Sequence, residues 1–275
     1  MTEKLAGKVA LITGAARGQG RSHALRLAEQ GANIIALDIC SQIDSIPYPL
    51  ATPEDLAETV SEVEARNRKI FAKQVDVRDR TALRAAINEA TDSLGPIDII
   101  LANAGVAPQG VEGVPDETVF RDVIDINLIG LWNTVHAGVP SMLAAERGGS
   151  IVLTSSVQGL KGTGGDGSAA EEAYIASKHG VVGLMRAFAY WLSPHHIRVN
   201  SVHPTGVATP MVAGNAAMER WLENSVGGKD IIANLIPVDL VETRDVTDAV
   251  AWLVSDESRY VTGTCLPVDA GVLAR

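Results

Sequence analysis

The sequence predicts an α/β fold: one doubly wound parallel sheet of about seven strands, with helices on both faces. Three observations predict it. Short apolar runs alternate with amphipathic stretches along the whole chain. The apolar runs are continuous, as in strands buried on both faces of a parallel sheet. No linker, internal repeat or low-complexity tract divides the 275 residues, so 1–275 reads as a single domain.

The elements follow in order. Val9–Thr13 is the first strand, and Gly18–Gln30 the helix behind it. Asn33–Asp38 is the second strand; its helix, Glu54–Arg66, comes only after an insertion, Ile39–Pro53, holding three prolines. Ile70–Val77 and Arg80–Ser93 form the third strand and helix. Ile97–Ala102 leads to a helix expected over Asn127–Ala145, and Ser150–Ser155 to one over Ala173–Leu192. Arg198–Val202, Asp245–Ser255 and Cys265–Val268 complete the series. Apart from the insertion at 39–53, two segments break the alternation: glycine-rich Lys161–Ser168, and irregular Val207–Leu235 with Met211, Met218, Trp221 and Leu222. Long loops at the carboxyl ends of strands flank the ligand crevice of an open α/β sheet, so 207–235 reads as a substrate lid.

Composition narrows the function. Apolar residues make up 46% of the chain and charged residues 20%, as in a soluble globular protein. A formal net charge of -10 argues against a nucleic-acid partner, because no basic stripe is available to neutralise phosphates. No apolar run reaches the roughly 18 residues of a membrane span, and no leader precedes the first strand. Cys40 and Cys265 are far apart and read as reduced thiols. A cytoplasmic protein is expected. The six histidines show no metal-ligand spacing, and no metal is expected. His195 and His196 read as a helix end, His203 as structural.

Gly14-Ala15-Ala16-Arg17-Gly18-Gln19-Gly20 lies between a predicted strand and a predicted helix. That context makes it a candidate Rossmann-type dinucleotide turn. Its glycines let the backbone approach a pyrophosphate, and the helix N-terminus favours the negative charge. A tight turn needing glycine only for its backbone angles is the alternative. Asp38 ends the second strand, where a carboxylate accepts from adenosine ribose hydroxyls and repels a 2′-phosphate, favouring NAD over NADP. Arg17 argues the other way, since it could pair with that phosphate.

Tyr174 and Lys178 are four residues apart on one predicted helix face. A nearby ammonium is expected to lower the tyrosine pKa from about 10 toward the working range. The phenol could then exchange a proton with a substrate oxygen.

Together with the glycine turn, Asn103-Ala104-Gly105, Ser155-Ser156 and Pro204-Thr205-Gly206, this pair resembles the short-chain dehydrogenase/reductase family over about Lys8–Gly271. The resemblance implies Tyr174 as the acid/base and Lys178 as its tuner and a nicotinamide-ribose ligand. Ser156, rather than Ser155, would orient the substrate oxygen. Asn127 would hold a water in the proton relay, with helix capping as its alternative. The resemblance also implies that Asp76-Val77 bracket adenine, and that Ile39 and Asn103-Ala104-Gly105 line the adenosine. Pro204, Gly206, Val207 and Thr209 would meet the nicotinamide end. The implied assembly is a homotetramer through the long helices after the fourth and fifth strands. One departure stands out: the Ser156–Tyr174 stretch is about five residues longer than usual, with the excess placed in Gly162–Ala170.

The insertion, with Tyr48-Pro49 and Ala51-Thr52-Pro53-Glu54-Asp55-Leu56, and the stretches Gly18-Gln19-Gly20-Arg21-Ser22-His23 and Val75-Asp76-Val77-Arg78-Asp79, resemble an actinobacterial branch of carveol dehydrogenase-like enzymes linked to the redox peptide mycofactocin. This implies oxidation of a secondary alcohol such as a terpenoid, with firmly held NAD reoxidised by an external carrier. Reduction of a 3-oxoacyl or steroid-type ketone, and a dinucleotide-binding regulator without turnover, are the alternative functions. Trp221, Met211 and Met218 line a pocket or pack within a lid or a subunit contact, and Gln158 is a candidate substrate contact.

Overall fold

A computed structural model describes residues 3–164, 166–225 and 233–275. Seven strands, β1 (Val9–Thr13), β2 (Asn33–Asp38), β3 (Ile70–Gln74), β4 (Ile99–Ala102), β5 (Gly149–Thr154), β6 (Ile197–Pro204) and β7 (Cys265–Val268), form one sheet in the order β3-β2-β1-β4-β5-β6-β7. Every pairing is parallel.

Residues alternate between two cores. Leu11, Ile35, Leu37 and Ile100 point to one face, where α3 (Arg80–Leu94), α5 (Leu131–Ala145) and α6 (Ala169–Leu192) cover them. Ala10, Ile12, Ile34 and Ala36 point to the other, under α1 (Gly18–Glu29) and α8 (Thr243–Val254). Burial on both faces is why these runs are continuous in the sequence. Each fully buried Leu or Ile contributes roughly 1.5–3 kcal/mol. The strand order reverses between β1 and β4, which opens a crevice at their carboxyl ends.

Local chemistry sets the helix starts. At α2 (Pro53–Glu64), the Asp55 backbone N–H donates to the Thr52 hydroxyl and the Thr52 N–H to the Asp55 carboxylate, a reciprocal capping box. Asp79 caps α3 by accepting from the Ala82 N–H at 2.9 Å.

Several strand and helix ends differ from expectation by a residue or two, and four differences are larger. β3 stops at Gln74 instead of Val77, because this edge strand turns away after Gln74 and leaves Val75 and Val77 buried beyond it. The helix expected over Asn127–Ala145 is longer. It begins as α4 (Asp116–Ile124), passes through a π-helical turn at Asp125–Gly130 and continues as α5. α6 starts at Ala169, not Ala173, because the Ser168 hydroxyl caps it by accepting from the Glu171 N–H. Val207–Leu235 is not wholly irregular: α7 (Ala216–Asn224) is capped by Asn215, which accepts from the Ala217 and Met218 N–H groups. Within 207–235, residues 226–232 lie outside the described residues, as does Gly165 of the glycine-rich loop.

Candidate active site

The first cleft lies at the β1/β4 reversal and spans about 900 Å³, solvent at its open mouth included. Gly14, with φ +67°, turns the chain out of β1, and a Cβ there would stand 3.0 Å from Ala104 Cα. α1 opens with no side-chain cap and no acidic residue in its first turn. Its first N–H groups are therefore available to an anion in the cleft.

Asp38 stands at the far end of β2, buried, accepting from the Ala16 N–H at 2.9 Å and the Cys40 N–H at 3.2 Å. Burial raises its pKa, and those two backbone donors pull it back down. Each carboxylate oxygen keeps a lone pair for a further donor. Arg17 lines the same cleft, and its guanidinium donates to the Pro49 carbonyl of the insertion. Asp38 and Arg17 thus both flank the adenosine end of the cleft, with one guanidinium donor turned to the insertion.

Gly18, Gln19, Gly20, Ile39, Asp76, Val77, Asn103, Ala104 and Gly105 line the same cleft. Asn103 ties three strand ends together: its Nδ2 donates to Thr13 O at 3.1 Å, and its Oδ1 accepts from Thr154 Oγ1 at 3.2 Å. Ile43, Tyr48, Leu50 and Ala51 of the insertion also line it. None of the four was a predicted contact, although Tyr48 and Ala51 stand in the motif quoted for the insertion.

A second cleft of about 740 Å³ shares Gln19, Thr209 and Met211 with the first, so the two form one trough. Ser156, Tyr174, Pro204, Gly206 and Val207 line it. Ser156 sits where β5 passes into a short 3-10 turn, with its backbone extended and its Oγ accepting from the Gln158 N–H at 3.2 Å. His203 Nδ1 bonds the Ser156 carbonyl at 2.8 Å, and its Nε2 pairs with Ser201 Oγ at 2.8 Å. Burial lowers His203 to about 4, so the ring is neutral and Nδ1 carries the donated proton. Ser155 is spent on structure, donating to the Lys178 carbonyl at 2.9 Å.

Lys178 is buried, and its Nζ donates to Thr154 O at 3.0 Å and lies 5.6 Å from the Tyr174 ring centroid. Burial lowers its ammonium to about 8. Contrary to the expectation from the four-residue spacing, Tyr174 is not shifted down. Burial pushes it up to about 12, the Ser156 hydroxyl draws it back, and Glu171 adds a further upward push. Lys178 exerts no dominant pull because it is itself desolvated and bonded to Thr154.

Asn127 does not start a helix; it lies inside the π-helical turn, so capping is not its role. It is fully buried. Its Oδ1 accepts from the Val106 N–H at 2.8 Å, and its Nδ2 donates to Val106 O at 2.9 Å. A Cβ on Gly105 would lie 3.3 Å from Asn127 Oδ1 and 3.5 Å from Lys178 Nζ, so both groups flank one glycine. Gln158, Met218 and Trp221 line the second cleft, as do Gln109 and Glu171, which sequence reasoning missed. Glu171 carried a signal: it stands three residues before Tyr174 and shares its helix face. Among the described residues, no three His, Cys, Asp or Glu side chains converge as a metal site would need, and no helix is long and apolar enough to cross a membrane.

A family profile described as short chain dehydrogenase matches residues 8–220. The chain belongs to the short-chain dehydrogenase family. Among curated relatives, the (-)-trans-carveol dehydrogenase of Rhodococcus erythropolis is 48% identical over 277 residues, 98% of either chain. A crystal structure of carveol dehydrogenase from Mycobacterium avium in complex with NAD superposes with a TM-score of 0.90 at 52% identity, covering 99% of both chains. A short chain dehydrogenase from Mycobacterium paratuberculosis bound to NAD gives a TM-score of 0.92 at 48% identity, covering 99% of this chain and 100% of that one. In this short-chain dehydrogenase, the glycine turn, Asp38 and the Ser156–Tyr174 pair occupy a single continuous trough.

Proposed function

We propose that this chain is an NAD-dependent dehydrogenase that converts an apolar secondary alcohol, such as a carveol-like terpenoid, to its ketone and back. One observation carries the reading. The Ser156 and Tyr174 hydroxyls face a mostly apolar cleft that runs directly into a glycine cradle ending at Asp38. The cradle fits a dinucleotide: uncapped helix N–H groups suit the pyrophosphate, and Asp38 suits the ribose hydroxyls of NAD. The NAD complexes of the two structural relatives support this choice.

Bound in the cradle, NAD supplies the hydride acceptor. Ser156 holds the substrate oxygen, while Tyr174 takes the hydroxyl proton during oxidation and returns it during reduction. A phenol near 12 exchanges protons slowly at neutral pH, whereas an ammonium near 8 does so readily. Lys178, which flanks Gly105 opposite Asn127, is therefore the group that passes the phenol's proton on. Val157, Val212, Met218 and Trp221 keep water from the reacting carbon.

The insertion caps the adenosine half of the trough and slows cofactor release, which suits reoxidation by an external carrier such as the redox peptide mycofactocin. Half-exposed Phe120, Ile129 and Trp191 on the α4–α5 and α6 surfaces favour assembly into a homotetramer. The unpaired thiols of Cys40 and Cys265 suit the reducing cytoplasm.

Tyr174→Phe tests the reading. Oxidation of secondary alcohols falls about 10²–10⁴-fold, while NAD binding, followed by calorimetry, stays within a factor of about three. Substantial surviving turnover refutes the assigned proton transfer.

A further inference from the structure

We infer that Glu171, Gln109 and Gln158 form a second polar anchor in the substrate cleft, one that selects ring alcohols bearing another hydroxyl about one ring width from the reacting carbinol; this refinement rests on the secondary-alcohol reading above.

Glu171 precedes Tyr174 by three residues on α6, which sets their Cβ atoms about 5–6 Å apart on one helix face. It is 1% exposed, and Gln109 is 4% exposed. All three anchor residues line the cleft that Ser156 and Tyr174 line.

The hydrogen bonding is incomplete in one sense only. Glu171 accepts from Gln109 Nε2 at 2.6 Å and, more weakly, from Gln158 Nε2 at 3.3 Å. Gln158 is held chiefly by the glycine-rich loop: its Nε2 donates to Thr163 O at 2.6 Å, and its Oε1 accepts from the Thr163 N–H at 3.1 Å. A carboxylate offers about four acceptor positions, so Glu171 keeps capacity to spare. Gln109 Oε1 is buried with no partner at all.

Both unmet groups are acceptors, so the ligand group that completes them is a donor. Burial raises Glu171 to about 7, so carboxylate and carboxylic acid coexist near neutrality. A hydroxyl suits both forms, since it donates and accepts, whereas an ammonium suits only the charged one. The cleft between the two poles is walled by Val157, Met218 and Trp221, which suits the apolar body of a ring.

The test compares two ring alcohols with purified full-length protein, NAD and an artificial electron acceptor. One is cyclohexane with trans hydroxyls on opposite ring carbons; the other carries a methyl in place of the second hydroxyl. The wild type favours the diol in kcat/KM by about tenfold or more. Glu171→Gln preserves size and Gln109→Leu removes the unpaired acceptor, and each lowers that ratio about fivefold or more. Equal rates on both alcohols overturn the anchor and leave the alcohol reading intact. Variants that slow both substrates by the same factor also overturn it, because the residues then only support Tyr174. If the wild type oxidises neither alcohol, the anchor fails; carveol assayed in the same preparation then decides the parent reading, which stands if carveol is oxidised and falls if it is not.

Discussion

Tyr174 and Lys178 each resist the charge that catalysis asks of them. Burial holds the phenol at about 12 and the ammonium at about 8, so the pair starts with its protons on the tyrosine and shared around the lysine. Oxidation of an alcohol must deliver a proton to this relay, and the relay accepts it only after Lys178 has released its own. The rate of oxidation therefore rises as pH climbs toward about 8 and levels above it, while ketone reduction shows the opposite trend. A pH profile of kcat/KM in both directions checks this, and an oxidation rate that fell over the same range would contradict the relay. Gly159 serves the same pair through space. A Cβ there would stand 2.4 Å from Ser155 Oγ and 2.6 Å from the Lys178 carbonyl. Gly159→Ala forces the Ser156 turn away from α6, at an overpacking cost of about 1–3 kcal/mol. The expected result is a lower melting temperature together with a kcat reduced about tenfold; an unchanged kcat would show that Ser156 tolerates the displacement.

The 39–53 insertion has contacts that a surface loop lacks. Ile46 and Tyr48 are buried in the core, and Ser45 Oγ donates to Asp122 on α4 at 2.6 Å. The Tyr48 hydroxyl accepts from the Ala107 N–H at 3.2 Å, and Arg17 bonds Pro49. The loop is thus pinned on three sides of the first cleft. Tyr48→Phe leaves the buried Ala107 N–H without a partner, a loss of about 1–3 kcal/mol. If the loop covers the dinucleotide, NAD dissociation accelerates about tenfold, measured by stopped-flow fluorescence; an unchanged off-rate would end the covering role. This loop also shows what was legible in the sequence. Its length and prolines announced an insertion, but the reach of Tyr48 to Ala107 depends on contacts 59 residues apart in sequence, which no local pattern encodes. Strands β1, β2 and β7 matched their expected bounds because their ends coincide with those of the apolar runs. The α4–π–α5 run was misread because Asn127, a good capping residue type, interrupts an apolar pattern, whereas its side chain in fact pairs with Val106. Most of the motif residues named from the sequence line the two clefts, but the electrostatics of Tyr174 were not legible, because desolvation is set by what packs around the helix.

At the scale of the whole molecule, two buried histidines and buried Glu171 are among the groups that couple the fold to pH. His23 on α1 meets Thr247 of α8 at 2.7 Å, its Nε2 has no partner, and burial lowers it to about 3. His203 reaches about 4. Below about 6.5, the unfolded chain binds protons at both positions that the folded chain refuses, so stability falls as pH drops from there toward about 4. His203 alone accounts for about 3 kcal/mol over that span, and His23 for a similar amount. Glu171 acts in reverse. Its folded pKa of about 7 lies above the usual 4.5, so the folded form holds the proton longer and stability declines as pH rises between those values. Two histidines outweigh Glu171 below about 6.5, and above it Glu171 alone of these three still titrates, which puts the stability maximum from the three near that pH. Denaturant melts across pH check the shape of the curve. His23→Gln keeps a side chain able to pair with Thr247 but removes one titration, so its acid limb becomes shallower by about one proton. An acid slope identical to that of the wild type would mean that His23 is protonated in the native state, and that the α1–α8 contact is wetter than its packing indicates.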